Sequence, residues 1–344
     1  MSACTSPQGY TTLLDGTHTF SVQAKDIANN LSGVASYQWV VDTAAPPAPV
    51  IDTHPPVSSN ATSAAFTFHD SEAGASFQCA VDAGAFAACT SPFNKTGLTD
   101  ASHTFHVKAK DGAGNLSGAT SFVWTVDTAG PVIKVNAPKE GAIYARYQRI
   151  KASRSCSDSS GVTSCKAPKG FLPTGKVGAH TYTVHATDTL GNQSSKIVHY
   201  SVKNACLMTP TIKVRFGQRV ITGTAGNDVI RATRPVGYRI SGRGGNDVIC
   251  TGSGNDVISG GAGSDVVVSR GGADRITAGG GNDYVDAGKG ADTATGGKGS
   301  DVLMGRAGKD VLHGRDHVKG NDTMNGGPGK DRCDADRRDR VVSC

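Results

Sequence analysis

The sequence predicts an all-β chain, with tandem antiparallel sandwiches over roughly the first 204 residues and a parallel β-roll over the rest. Three observations carry this. A stretch of the chain recurs at an offset of 85 residues, with strand-like alternation inside each copy. Aspartate recurs every ninth residue from Asp247 to Asp310. The composition, with 45 glycines against 4 methionines and 2 tryptophans, is wrong for one large helical or α/β core.

The front repeat is read from matched segments. His18-Thr19-Phe20 returns as His103-Thr104-Phe105, Trp39 as Trp124, and Val41-Asp42-Thr43-Ala44 as Val126-Asp127-Thr128-Ala129. A repeat this long means copies of a whole domain rather than solenoid turns. In the second copy His103, Phe105, Val107 and Ala109 share one parity and Thr104, His106, Lys108 and Lys110 the other, which describes a half-buried antiparallel strand. A divergent third copy repeats the scheme with His180, Tyr182, Val184 and Ala186. The shared signature, G-x-H-T-F/Y-x-V-x-A-x-D followed by G-N, resembles the bacterial immunoglobulin-like repeats of large secreted and surface proteins. Asn29-Asn30 and Ala101 depart from it in the first and second copies. The resemblance implies a partial immunoglobulin-like repeat over residues 1–47, a complete one over 48–130 and a divergent module over 131–204, with Pro46-Pro47 and Gly130-Pro131 at the joints.

Nine cysteines, none in a C-x-x-C pair, favour disulfides over a structural zinc site. Their spacing suggests Cys79 with Cys89, Cys156 with Cys165, Cys206 with Cys250 and Cys333 with Cys344. That places the chain in an oxidising compartment, extracellular or on the cell surface. Cys4 is left over. Its segment Ala3-Cys4-Thr5-Ser6-Pro7 matches Ala88-Cys89-Thr90-Ser91-Pro92, so its partner is expected upstream of Met1, with the chain opening inside a domain. His18, His103 and His180 have no nucleophile or carboxylate at fixed spacing and read as structural. Asp26, Asp111 and Asp188, with Asn30, Asn115 and Asn192, read as turn formers. The net charge of +6 is dispersed, which predicts no nucleic-acid partner, and no apolar run reaches the roughly 20 residues of a membrane span.

After Cys206 the composition shifts to glycine, aspartate and small aliphatics. Asp247, Asp256, Asp265, Asp274, Asp283, Asp292, Asp301 and Asp310 keep one phase, and two residues after each stands Ile249, Ile258, Val267, Ile276, Val285, Ala294, Leu303 or Leu312. This is the G-G-x-G-x-D-x-U-x nonapeptide, and residues 205–344 resemble the RTX, or haemolysin-type, calcium-binding repeat family. Two nonapeptides complete one coil, and coils stack about 4.8 Å apart. Asp247, Asp265, Asp283 and Asp301 then share one edge and Asp256, Asp274, Asp292 and Asp310 the other. Carboxylates stacked so closely repel unless a cation lies between them. Glycines let backbone carbonyls complete the oxygen shell, which makes Gly245, Gly254, Gly263, Gly272, Gly281, Gly290, Gly299 and Gly308 the expected companions of the aspartates.

The expected cofactor is therefore Ca2+, bound weakly, on the order of 10⁻⁴ to 10⁻³ M. Departures temper the match. The region holds more Lys and Arg than Asp, Arg270 replaces a glycine, and Asp316-His317-Val318 is inserted, with His313 and His317 expected in a solvated turn. Asp228, Asp322 and Asp331 fall outside the regular phase. No G-x-S-x-G or H-E-x-x-H occurs, and glutamate is confined to Glu72 and Glu140. The function expected is calcium binding in a non-enzymatic, adhesive or structural secreted protein, with a surface glycan or a protein as further partner. The alternative is the accessory tail of a secreted hydrolase.

Overall fold

The computed structural model describes residues 2–318 and 320–344. Among these residues the regular structure is β-strand, apart from one short 3-10 turn at Ala205–Leu207. The chain forms two compact units: residues 1–131 with 158–163 and 187–193, and residues 132–157, 164–186 and 194–344.

The second sequence copy folds as a two-sheet sandwich. Ala101–Lys110 lies between Thr120–Val126 and Ser76–Val81 in one sheet, and Val50–Thr53, Ser63–His69 and Phe93–Thr96 form the other. The period-two pattern is what the core uses, since His103, Phe105, Val107 and Ala109 are all buried. Phe66 stacks on Phe105 at 4.1 Å between centroids and meets the Trp124 ring edge-on at 5.2 Å. Cys79 and Cys89 form a disulfide with Cα atoms 5.8 Å apart. The first copy is a hairpin, Gly16–Val22 against Ala35–Val41, which pairs His18 with Trp39 and leaves Tyr10 and Tyr37 exposed.

The Asp/Asn turns behave as read. Asp111 Oδ1 accepts the N–H groups of Gly114 and Asn115, and Oδ2 accepts Asn115 Nδ2 at 2.7 Å. Asp26 and Asp188 repeat the arrangement with Asn30 and Asn192. The second proton of the amide reaches back along the chain: Asn115 Nδ2 also donates to Asp42 O at 3.1 Å, and Asn192 Nδ2 to Asp127 O at 2.8 Å.

The third copy pairs Val132–Ala137 with Ser153–Ser157, and orders Ala142–Ala145, Gln193–Lys203, Gly178–Asp188 and Val162–Lys166 in a second sheet. Tyr182, Val184, Ala186, Tyr200 and Val202 fill its core, and Cys156 bonds Cys165.

From Val220 the chain winds into two facing parallel sheets of seven strands each. One runs Val220–Thr222, Arg239–Gly244, Val257–Ala262, Arg275–Gly280, Thr293–Lys298, Val311–His313 and Arg332–Asp334. The other runs Val229–Ala232, Val248–Thr251, Val266–Val268, Tyr284–Asp286, Val302–Met304, Thr323–Asn325 and Arg340–Val342. Ile249, Ile258, Val267, Ile276, Val285, Ala294, Leu303 and Leu312 are at most 1% exposed and form the roll's interior. Ala294 is in register with Ile276 and Leu312, so one coil is thin there. Cys206 bonds Cys250 near the start of the roll, and Cys333 bonds Cys344, clamping its last two strands together.

Candidate metal centre

Each aspartate of the nonapeptide directly precedes a roll strand, where the turn ends and the chain becomes extended. That position fixes how its two oxygens are used. Oδ1 accepts the main-chain N–H of the aspartate one coil earlier: Asp247 N–H to Asp265 Oδ1 at 2.8 Å, Asp265 to Asp283 at 2.7 Å, and Asp283 to Asp301 at 2.9 Å. On the other edge Asp256 donates to Asp274, Asp274 to Asp292 and Asp292 to Asp310, at 2.8, 2.8 and 2.9 Å. The structure thus assembles all eight aspartates into two carboxylate ladders, with the edge assignment read from the sequence.

The ladders are longer than the regular spacing indicates. Asp228 N–H donates to Asp247 Oδ1, Asp301 N–H to Asp322 Oδ1, and Asp310 N–H to Asp331 Oδ1. Asp322 N–H reaches Asp339 Oδ1 at 3.4 Å. The three-residue insertion lengthens one coil to 21 residues without disturbing the register, Val302 against Thr323 and Val311 against Arg332. His313 is not in a turn as expected. It lies on the strand Val311–His313, in register with Asp334.

The second oxygens are the feature that needs a partner. Oδ2 of Asp247, Asp256, Asp265, Asp283, Asp292, Asp301, Asp310, Asp322 and Asp331 is buried without a hydrogen-bond donor. Burial pushes the Asp265 carboxyl up to about 8, with the neighbouring Asp283 and Asp247 charges adding to it. It pushes Asp292, Asp301 and Asp322 up to about 7, and Asp247, Asp274 and Asp283 up to about 6. No Lys or Arg among the described residues forms an ion pair with a ladder aspartate between Asp228 and Asp331. Arg306 instead pairs with Asp286, Nε to Oδ1 at 2.9 Å, and Arg315 with Asp334 at 3.0 Å.

Only glycine fits beside these oxygens. A methyl group on Gly260 would meet Asp265 Oδ2 at 2.4 Å and the Ala278 carbonyl of the next coil at 2.6 Å. A methyl group on Gly242 would likewise collide with Asp247 Oδ2 and Gly260 O. A carboxylate and a carbonyl, with neither imidazole nor thiolate, form a hard donor set that suits Ca2+ rather than zinc. The glycines two residues before the aspartates close the turns. Gly263 has φ +115°, and a methyl there would lie 2.2 Å from Gly245 O.

Two features were missed in the sequence. Asp274 Oδ2 accepts the Ser269 hydroxyl, which in turn accepts that of Thr251 at 3.1 Å, so this carboxylate alone among the eight has a side-chain donor on Oδ2. On the Asp247 edge the residue before each aspartate forms its own ladder, with Ser264 N–H donating to Asn246 Oδ1 and Ser300 N–H to Asn282 Oδ1, both at 2.7 Å. The side chains of Asn246, Ser264, Asn282 and Ser300, 18 residues apart, were the available signal. In the first unit Asp127, Asp158 and Asp188 also bring an oxygen each within 4.8 Å, but their carboxylates are taken by turn N–H and hydroxyl groups.

The profile of the RTX calcium-binding nonapeptide repeat, four copies long, matches residues 220–233, 239–258, 259–294, 286–317 and 319–337. The C-terminal region is an RTX calcium-binding repeat. The cofactor of these RTX repeats is Ca2+. No curated protein matches the chain. Among solved structures it is similar to fibronectin(III)-like modules of Clostridium thermocellum CbhA, at 19% identity over 48% of this chain and 100% of that one, with a TM-score of 0.23. A structure bearing on host cell surface retention of a 1.5-MDa bacterial ice-binding adhesin matches at 14% identity over 56% and 76%, TM-score 0.29. The protocadherin GammaB4 extracellular domain matches at 13% over 60% and 42%, TM-score 0.25. No helix among the described residues is long and apolar enough to cross a membrane.

Proposed function

We infer that this chain is a non-catalytic extracellular or cell-surface binding protein whose RTX region is set by calcium. The observation that carries the reading is the double row of buried carboxylate oxygens without donors, which a divalent cation satisfies and a proton satisfies only outside the usual carboxylate range. Asp247, Asp256, Asp265, Asp283, Asp292, Asp301 and Asp310 would hold the ions with the backbone of the glycine turns, and Asp322 and Asp331 extend the set. Asp274 is the weakest member, because Ser269 already satisfies it. The domain limits 1–47, 48–130, 131–204 and 205–344 belong to the same reading, as does a glycan or protein partner on the outside of the cell.

Support for a non-catalytic role comes from how the recurring histidines are used. Each donates Nε2–H to the carbonyl four residues earlier: His18 to Leu14, His103 to Thr99 and His180 to Lys176, at 2.7 to 2.9 Å. These rings hold strand starts. Disulfides at all four paired positions fit an oxidising compartment.

Circular dichroism and thermal melting of the metal-stripped chain test the calcium reading. β signal and melting temperature of the roll should rise as calcium is added to about 10 mM, above the weakest affinities of extracellular modules. An unchanged spectrum and melt across that titration would sink it.

A further inference from the structure

A cavity of about 390 Å3 opens on the outer face of the roll's second sheet, lined there by Val268, Arg270, Tyr284, Asp286 and Arg306. Its other wall comes from Arg146 and Tyr147 of the third module and from the segment around Leu207. Three guanidinium groups therefore face one carboxylate. Arg306 spends Nε and Nη2 on Asp286 at 2.9 and 2.6 Å, which neutralises that carboxylate. Arg146 spends only Nε, on the Gly175 carbonyl, and lies 4.6 Å over the Tyr147 ring. Arg270 has no ion-pair partner among the described residues and is exposed.

We propose that this cavity binds an acidic sugar, and that calcium assembles it. The surplus of about two positive charges calls for an oxyanion, and guanidinium forks match carboxylate and sulfate in two parallel hydrogen bonds. Apart from Asn204, the remaining wall is built from apolar and aromatic side chains. Leu207 is 69% exposed, and Val268 lines the cavity with Tyr147 and Tyr284, whose rings stack on each other at 4.2 Å. A free inorganic anion leaves those groups bare, whereas a uronic acid or sulfated sugar covers them with its ring and keeps its hydroxyls toward solvent.

Assembly depends on winding. Val268 and Arg270 follow Asp265, Tyr284 and Asp286 follow Asp283, and Arg306 follows Asp301, so the wall is built from successive coils of one carboxylate ladder. Unwound, these residues are separated along the chain by about 18 positions each and cannot converge. This part rests on the calcium reading above.

The test uses the full chain, with sodium D-glucuronate as probe, glucose as the uncharged control and inorganic phosphate as the free-anion arm. Titration calorimetry is run with calcium and after chelation, while circular dichroism reports winding. Glucuronate should bind with calcium at a millimolar Kd or better, glucose should not, and Arg270→Ala should weaken binding about tenfold, the loss of one charge-assisted pair. Arg275→Ala, exposed on the opposite sheet, should change nothing. A wound roll that does not bind glucuronate overturns the site. Phosphate binding as tightly as glucuronate overturns the sugar assignment. Equal binding with and without calcium, on a roll wound in both, keeps the site but overturns its calcium assembly together with the reading beneath it.

Discussion

Asp265 gives one carboxylate oxygen to the Asp247 main-chain N–H at 2.8 Å, while its other oxygen, just as buried, receives nothing. The first contact stitches consecutive coils. The second is a charge the fold by itself does not accommodate, and most of what can be tested follows from that division.

Acid should replace calcium. The carboxyls of Asp247, Asp256, Asp265, Asp274, Asp283, Asp292, Asp301, Asp310 and Asp322 have folded values above the usual 3.8, up to about 8 for Asp265. A raised folded value means stability that is complete below the unfolded value and is lost as pH rises through the folded ones, here about 6 to 8. The metal-free roll should therefore melt higher near pH 4 than near pH 8. With saturating calcium the slope should reverse, because protons compete with the ion. Melts of dialysed protein across that range check it, and a flat metal-free profile would contradict it.

Ser269→Ala should raise the number of calcium ions bound. Without the hydroxyl, Asp274 Oδ2 joins the other orphaned oxygens, at a cost of roughly 1–3 kcal/mol to the metal-free roll. Equilibrium dialysis counts the ions. An unchanged count, with unchanged metal-free stability, would show that the hydroxyl does not substitute for an ion.

Gly263→Ala and Gly280→Ala make a matched pair. Gly263 combines φ +115° with a carbonyl 2.2 Å from the would-be methyl, whereas nothing lies within 4 Å of the Gly280 position. The first should cost about 2 kcal/mol or more and raise the calcium midpoint, and the second should be within about 0.5 kcal/mol of the parent. Similar effects from both would mean that the turns are not packed as described.

Removing the Cys206–Cys250 disulfide, which closes a separation of 44 residues, should cost on the order of 3–4 kcal/mol. Thermal melts of the double serine variant measure it. The effect should fall on the roll transition and leave the second sandwich unaltered.

The roll's period, its interior and its two edges were legible because nothing interrupts the phase between Asp247 and Asp310. The continuation to Asp322 and Asp331 was not, because linear spacing breaks at the insertion while strand pairing does not. Parity in the second module named the buried face of Ala101–Lys110 correctly, yet said nothing of the aromatic packing of Phe66 on Phe105. Hydroxyl contacts such as Ser269 to Asp274 depend on which residues meet across a coil, and a search for glycine at that position passes over them.

The ladders also have a direction. Every aspartate stitch runs from an amide in one coil to a carboxylate in the next, so that amide is satisfied only when the next coil arrives. Asp228, at the start, differs in its carboxylate alone: hydroxyls of Thr211 and Thr224 reach it at 3.2 and 3.0 Å, so it is satisfied before any ion is present, while its N–H still waits for Asp247 Oδ1. The roll thus has a ready-made seed at one end and an elongating tip at the other. Growth halted at any coil strands all those beyond it, so Asp247→Ala should expose more amides to hydrogen exchange than Asp310→Ala does.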